Sequence, residues 1–219
     1  ASGNSYVRHY FQFTEFPADN TCLSGKTEDP LYEATSYCMT DGLKNVGTFW
    51  FLSYKVISMT NTVIDVLKEG KSTDGDQLIG EAYFLRALMH TNLVTLYSRP
   101  YSHGRENMGV VIRNSTNTET TVRATVGETY DQIENDLKKA MGLMKPGVTR
   151  CNHGYGSYEA AAALLARIYL YEERWDDVIT VANDLTGGAA GTGSDKLEAD
   201  FANYFANALT SRETLFCIA

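Results

Sequence analysis

The run Leu78–Pro100, LIGEAYFLRALMHTNLVTLYSRP, decides the fold. Leu78, Ala82, Leu85, Met89, Leu93 and Leu96 recur at helical spacing, and Phe84, Leu88 and Val94 fill the flanks. A helix apolar on nearly every side is central and must be covered by others. Glu81, Arg86, His90 and Asn92 make it too polar to cross a membrane. Pro100 stops it, because proline has no amide proton and disfavours helix in the residue before it.

The covering helices lie on both sides. From Leu43 to Leu67 the residues Leu43, Val46, Trp50, Tyr54, Ile57, Asn61, Ile64 and Leu67 step by three and four, a stripe made to lie along a partner helix. Gly47 weakens the first turn, so the helix is expected to begin near it. Asn61, on the apolar stripe, reads as an interhelical hydrogen-bond anchor. Glu69–Asp76 reads as a polar turn before the central helix. After Pro100 comes a connecting loop in which Val110–Ile112 is a candidate extended piece. Thr125 and Glu128 fit a capping box. Behind it Val126, Tyr130, Ile133, Leu137, Met141 and Met144 form one face, ended by Pro146–Gly147.

Ser157–Leu185 reads as a helical hairpin. Its first arm buries Ala161, Leu164, Leu165, Ile168 and Tyr169; its second is expected to bury Trp175, Val178, Ile179, Ala182 and Leu185, with Gly187 and Gly188 as caps. The small-then-aromatic spacing resembles a tetratricopeptide unit, which needs neighbours to cover it. Gly187–Asp195 reads as linker, and Phe201, Tyr204, Phe205 and Leu209 as a short helix. Glu213–Ala219 reads as a strand-like run without a partner inside this sequence, the edge of a fragment.

Residues 1–40 lack sustained helical periodicity and are rich in turn residues. Their aromatics, Tyr6, Tyr10, Phe11, Phe13 and Phe16, suit a short helix or an extended arm. A long aromatic-rich loop region beside a helical scaffold is where a binding surface is expected.

The net charge of −8, spread without a basic stripe, excludes a nucleic-acid partner. Cys22, Cys38, Cys151 and Cys217 form no CxxC and no metal-like spacing with the four histidines; Cys22 and Cys38 fall in one loop, where a bridge is open to them. Gly70-Lys71-Ser72 lacks the earlier glycine and the strand of a phosphate loop, since Asp65 stands where that glycine belongs. Asp74-Gly75-Asp76 lacks the remaining ligands of a calcium loop and suits helix capping. Neither GxSxG nor HExxH is present, and His9, His90, His103 and His153 sit in separate segments. Arg86 and Arg167 lie in apolar helices and need partners; Glu81 and Glu159 are the candidates, and both arginines read as structural struts. No motif asks for a metal or a cofactor.

Three stretches carry a resemblance to a known family: GEAYFLRALMHTNLVTLYSRP, TVRATVGETYDQIENDLKKAM and YEAAAALLARIYLYEERWDDVITVANDL. In motif, order and spacing they resemble the SusD/RagB family of outer-membrane nutrient-binding lipoproteins. The resemblance covers most of residues 6–219 and about the N-terminal half of a full-length member. It implies an all-α fold of tetratricopeptide-like stacked hairpins with long irregular loops: one domain over 1–219, a piece of a longer chain, with an irregular region at 1–40 and helical repeats over 43–186. It further implies a non-catalytic protein, lipid-anchored on the outer surface of a Bacteroidetes outer membrane, that captures oligosaccharides and passes them to a SusC-like TonB-dependent transporter. The RagB branch captures oligopeptides instead. A tetratricopeptide-like protein-interaction module is a third reading. None of the four cysteines lies at the start, so the lipid-bearing one is outside this sequence.

The resemblance also suggests ligand-binding residues. Asn4–Tyr10 is similar to a family segment with a ligand-contacting arginine, which points to Arg8. Asp19 and Asn20 match the acidic turn before the starch binders' contact loop. Those binders then present a tryptophan platform, whereas here Cys22–Lys26 holds no aromatic, and Tyr32 or Tyr37 is left to offer a stacking face.

Overall fold

The computed structural model describes residues 6–19, 22, 25, 31–117, 122–148, 153–187, 198, 201–207, 210–211 and 213–217. Among these residues it is helical, and the nearest thing to a sheet is one isolated antiparallel bridge, Met108 to Thr125. The helices are α1 (Tyr6–Thr14), α2 (Leu31–Thr35), α3 (Lys44–Val66), α4 (Thr73–Tyr97), α5 (Val126–Leu143), α6 (Tyr158–Tyr171), α7 (Trp175–Thr186) and α8 (Phe201–Ala206), with a 3-10 turn at Tyr101–His103. None is long and apolar enough to cross a membrane. The chain divides into two compact units, Ala1–Val56 and Ile57–Ala219, with the boundary inside α3.

The first unit is built on an aromatic cluster. Of the two forms open to the early aromatics, the short helix is the one adopted: α1 sets Tyr6 stacked on Phe49 at 4.8 Å between centroids and Phe13 edge-on at 5.9 Å. Phe49 is fully buried, and Ala34 of α2 and Leu43 are buried too. Helix α3 begins at Lys44, three residues before Gly47, so the glycine is carried inside the first turn.

The second unit is organised on α4, as its apolar circumference requires. Ile79, Ala82, Phe84, Ala87, Met89, Leu93 and Val94 are all buried. The helix starts at Thr73, five residues earlier than its apolar pattern, because the Ser72 hydroxyl accepts the Gly75 amide and Asp76 accepts the Gly70 amide. Glu69 and Gly70 form the expected turn, whereas Thr73–Asp76, expected to belong to it, are the first turn of the helix. It ends at Tyr97, ahead of Pro100.

Helix α5 packs against α4 through Val126, Ile133, Leu137 and Ala140, all fully buried. Met144 is also buried, and Met141 is half-buried. The capping box forms: Thr125 Oγ1 accepts the Glu128 amide at 3.1 Å, and Glu128 Oε2 accepts the Thr125 amide at 2.8 Å. Thr125→Ala removes one partner and is expected to cost about 1 kcal/mol, read as a lower urea midpoint with unchanged slope. Ahead of it Val110 and Val111 are buried, and Gly109 and Val110 exchange backbone bonds with Ala124 beside the Met108–Thr125 bridge, a pairing too short to make a strand. Gly109 is obligatory, since a Cβ there would run into the Thr125 carbonyl.

The hairpin α6–α7 forms where expected, capped by Ser157 and by Gly187 in the left-handed region. Gly188 and most of the expected linker lie outside the described residues. The first arm is buried; the second is not. Trp175 is 56% exposed and Ile179 57%, while Val178, Ala182 and Leu185 are only half-buried. The amphipathic pattern marked this face correctly as apolar; α6 covers part of it, and the side bearing Trp175 and Ile179 is left exposed. The segment after α8 also differs from expectation. Its described residues form no strand, and they do find partners: the Cys217 amide donates to the His153 carbonyl, and Phe216 packs edge-on to Phe84 at 5.1 Å.

Candidate functional site

Two places gather polar chemistry, one buried and one exposed. The buried one centres on Arg86. Its Nε and Nη2 donate to both oxygens of Asp136 at 2.8 and 2.6 Å, and Nη1 donates to Asn61 Oδ1 at 2.7 Å and to the Asn114 carbonyl at 2.9 Å. Arg86 is 3% exposed and Asp136 1%. Asn61 also donates to the carbonyls of Arg113 and Ser115, so one amide and one guanidinium fix the loop 113–115 from behind. Asn61 is thus the anchor its place on the stripe suggested. The partner of Arg86 is Asp136, fifty residues away, and not Glu81 or Glu159. Glu81 accepts from Gln77, and Glu159 accepts the Gly147 amide. Arg167, also expected to be a strut, is exposed and lines a cavity of about 340 Å³ with Phe84, Leu88, Leu164 and Phe216.

His90 lies fully buried beside this network, with Nε2 facing the Arg113 amide at 3.5 Å. Burial first, and the charge of Arg86 second, lower its pKa to about 3, against a backbone hydrogen bond with Arg86 that raises it. The imidazole is neutral. Burial pushes the Asp136 carboxyl above its ordinary value, and the hydrogen bonds and charge of Arg86 hold it back. Arg86, Asp136 and Asn61 are paired with one another and with the loop, while His90 Nδ1 is buried without a hydrogen-bond partner among the described residues. The network is a strut.

A second tie joins α5 to the hairpin. Glu134 accepts from Lys138 at 2.6 Å, from the Tyr169 hydroxyl at 3.0 Å and from Arg174 at 3.0 Å. Burial raises its carboxyl, but the bonds from Lys138 and Tyr169 outweigh that and leave it below the usual range.

The exposed place is in the first unit, and it holds the ligand-binding candidates. Arg8 is exposed on α1. Asp19 is exposed just beyond α1. Tyr37 is 73% exposed, sits in the left-handed region at φ 58°, and donates its hydroxyl to the Pro17 carbonyl. A bulky residue there is uncommon and costs on the order of 1 kcal/mol, which the hydroxyl bond helps to offset. That bond brings the Tyr37 turn to the segment leading into Asp19. Asn20 lies outside the described residues, as does the Tyr32 side chain. The sequence reading passed over Phe11, 52% exposed and three residues from Arg8, hence on the same face of α1. The signal was that spacing, and the crowding of aromatics around it hid it. Among the described residues no His, Cys, Asp or Glu cluster is arranged to hold a metal ion. An exposed cation beside the exposed ring of Phe11 suits a polar ligand with a stackable face.

Comparison with known proteins follows the same line. A family model described as "Starch-binding associating with outer membrane", SusD-like, matches residues 12–170. No match was found among curated proteins. Among solved structures, a SusD-like carbohydrate binding protein from Bacteroides vulgatus is 22% identical, with a TM-score of 0.82 over 99% of this chain and 46% of its own. A SusD superfamily protein from Bacteroides thetaiotaomicron is 25% identical, with a TM-score of 0.77 over 97% of this chain and 48% of its own. A laminarin binding SusD-like protein is 20% identical, with a TM-score of 0.67 over 82% of this chain and 38% of its own. The chain therefore spans about half the length of the first two, and the likeness to these structures is one of fold.

Proposed function

This chain belongs to the SusD-like family of starch-binding proteins that associate with the outer membrane, and from that premise we propose that it is part of a lipid-anchored cell-surface protein that captures oligosaccharides without chemistry and hands them to a SusC-like TonB-dependent transporter. The family match over residues 12–170 carries the reading. The exposed set Arg8, Phe11, Asp19 and Tyr37 on the first unit supports it. In this reading Arg8 hydrogen-bonds sugar hydroxyls, Asp19 and Asn20 accept from them, and the ring of Tyr37 or of Tyr32 stacks on a pyranose face. The absence of an aromatic from Cys22–Lys26 argues for a ligand other than starch, and RagB-like oligopeptide capture is the second reading for the same reason.

Isothermal titration of the full-length protein with α-glucan, β-glucan and peptide panels tests this. The expected result is saturable binding of one glycan class, with the sugar recovered intact. Arg8→Ala is expected to weaken that binding about tenfold, or roughly 1.4 kcal/mol, without moving the melting temperature. Turnover of the sugar refutes the non-catalytic role, and unchanged affinity in the variant refutes the place given to Arg8.

A further inference from the structure

The cavity of about 340 Å³ beside α6 contains none of the residues assigned to the sugar, and its described residues all belong to the second unit. Helix α6 sets Ala160, Ala163, Leu164 and Arg167 along it, a spacing of three and four that puts them on one face. The two alanines leave room that larger side chains would fill. Phe84 and Leu88 of α4 form a second wall, and residues 213–216 a third. That third wall is held in place where the Cys217 amide meets the His153 carbonyl and Phe216 meets Phe84 edge-on.

Two opposite charges line this apolar space without closing on each other. Arg167 has no hydrogen bond or ion pair with any described residue. Glu213 accepts the Glu198 amide through Oε1 at 2.5 Å, and its Oε2 has no partner among the described residues. A guanidinium presents a planar fork of donors that matches a carboxylate, and a carboxylate accepts from an ammonium. Apolar walls lower the local dielectric and strengthen both attractions. An anion alone would be repelled by Glu213, and a cation alone by Arg167. A zwitterion satisfies both. We infer that this cavity binds an α-amino acid with an apolar side chain, its carboxylate on Arg167, its ammonium on Glu213 and its side chain against Phe84, Leu88 and Leu164. Ligand pockets begin at about 300 Å³, so the space suits one amino acid and not an oligosaccharide.

The test is isothermal titration of the purified full-length protein with three probes. They are L-phenylalanine, its amide, which lacks the carboxylate, and its N-acetyl form, which lacks the ammonium. The expected result is saturable binding of phenylalanine, with each blocked form about tenfold weaker. Arg167→Gln is expected to weaken phenylalanine and the N-acetyl form about tenfold and to leave the amide unchanged. Glu213→Gln is expected to weaken phenylalanine and the amide by a similar factor and to leave the N-acetyl form unchanged. A variant that merely loosens the fold would weaken all three probes alike. No saturable binding of phenylalanine, equal affinity for the three probes, or variant losses that fall on all three alike would overturn the inference. The glycan titrations and the Arg8→Ala variant involve none of these residues, so either reading can fail without the other.

Discussion

Arg86→Met is expected to destabilise the chain by about 3–5 kcal/mol, since it leaves a buried carboxylate without its partner. Asp136 is 1% exposed and keeps only the Gln132 amide once the guanidinium is gone. The Asn61 oxygen and the Asn114 carbonyl lose their donor in the same change. The informative comparison is with Arg105 and Asp131, also at bonding distance, 2.8 Å, but with both side chains 54% exposed. Arg105→Met should cost less than about 1 kcal/mol, because water screens that pair and solvates whichever partner remains. Urea unfolding of both variants decides. Equal costs would mean that the buried network is not a strut. The double variant Arg86→Met with Asp136→Leu should regain most of the loss if its apolar groups pack.

Acidification gives the second large effect, through His90. Its folded pKa of about 3 lies below the ordinary 6.5, so between those values the unfolded chain binds the extra proton and the folded chain does not. Stability is fully present above about pH 6.5 and is lost as the pH falls toward 3. The loss approaches on the order of 4 kcal/mol from this one group. Asp136 works the opposite way: its carboxyl is raised in the folded chain, so it takes up a proton on folding and favours the fold in acid. The measured slope is therefore a net one, and a variant is needed to isolate the histidine. His90→Gln keeps a polar side chain near the Arg113 amide and removes the titration. Its urea midpoint should fall less steeply than that of the parent between about pH 6.5 and 4. Parallel curves would show that His90 is not the group responsible.

Local and periodic features were legible in the sequence. The circumference of α4, the Thr125–Glu128 box and the anchoring amide at Asn61 each follow from residues within a turn or two of one another. The partner of Arg86 was not legible, because Asp136 is fifty residues away and only the packing of α5 on α4 brings it near. Glu81 looked better by proximity, yet its own helix directs it toward Gln77. The start of α4 was misread because Gly75 and two aspartates resemble a turn. Ser72 caps it without the glutamate that would have completed a box.

The candidate site was legible only through resemblance. Nothing in the spacing of Arg8, Asp19 and Tyr37 singles them out, and what the structure adds is that all three are exposed. The hydroxyl bond of Tyr37 to Pro17 arises from chain reversal between α1 and α3, which no periodicity encodes. Phe11 was counted with the aromatics of the cluster, although its place three residues from Arg8 turns it away from Phe49.

The uncovered start of α7 has an optical consequence. The chain holds two tryptophans, Trp50 half-buried in the first unit and Trp175 mostly in water in the second. An indole already hydrated in the native state changes its emission little on denaturation, so the fluorescence shift during unfolding reports chiefly on Trp50. Replacing Trp175 with phenylalanine would leave a single-colour readout of the first unit, and replacing Trp50 would leave a lamp that dims or shifts only when something comes to rest on the hairpin.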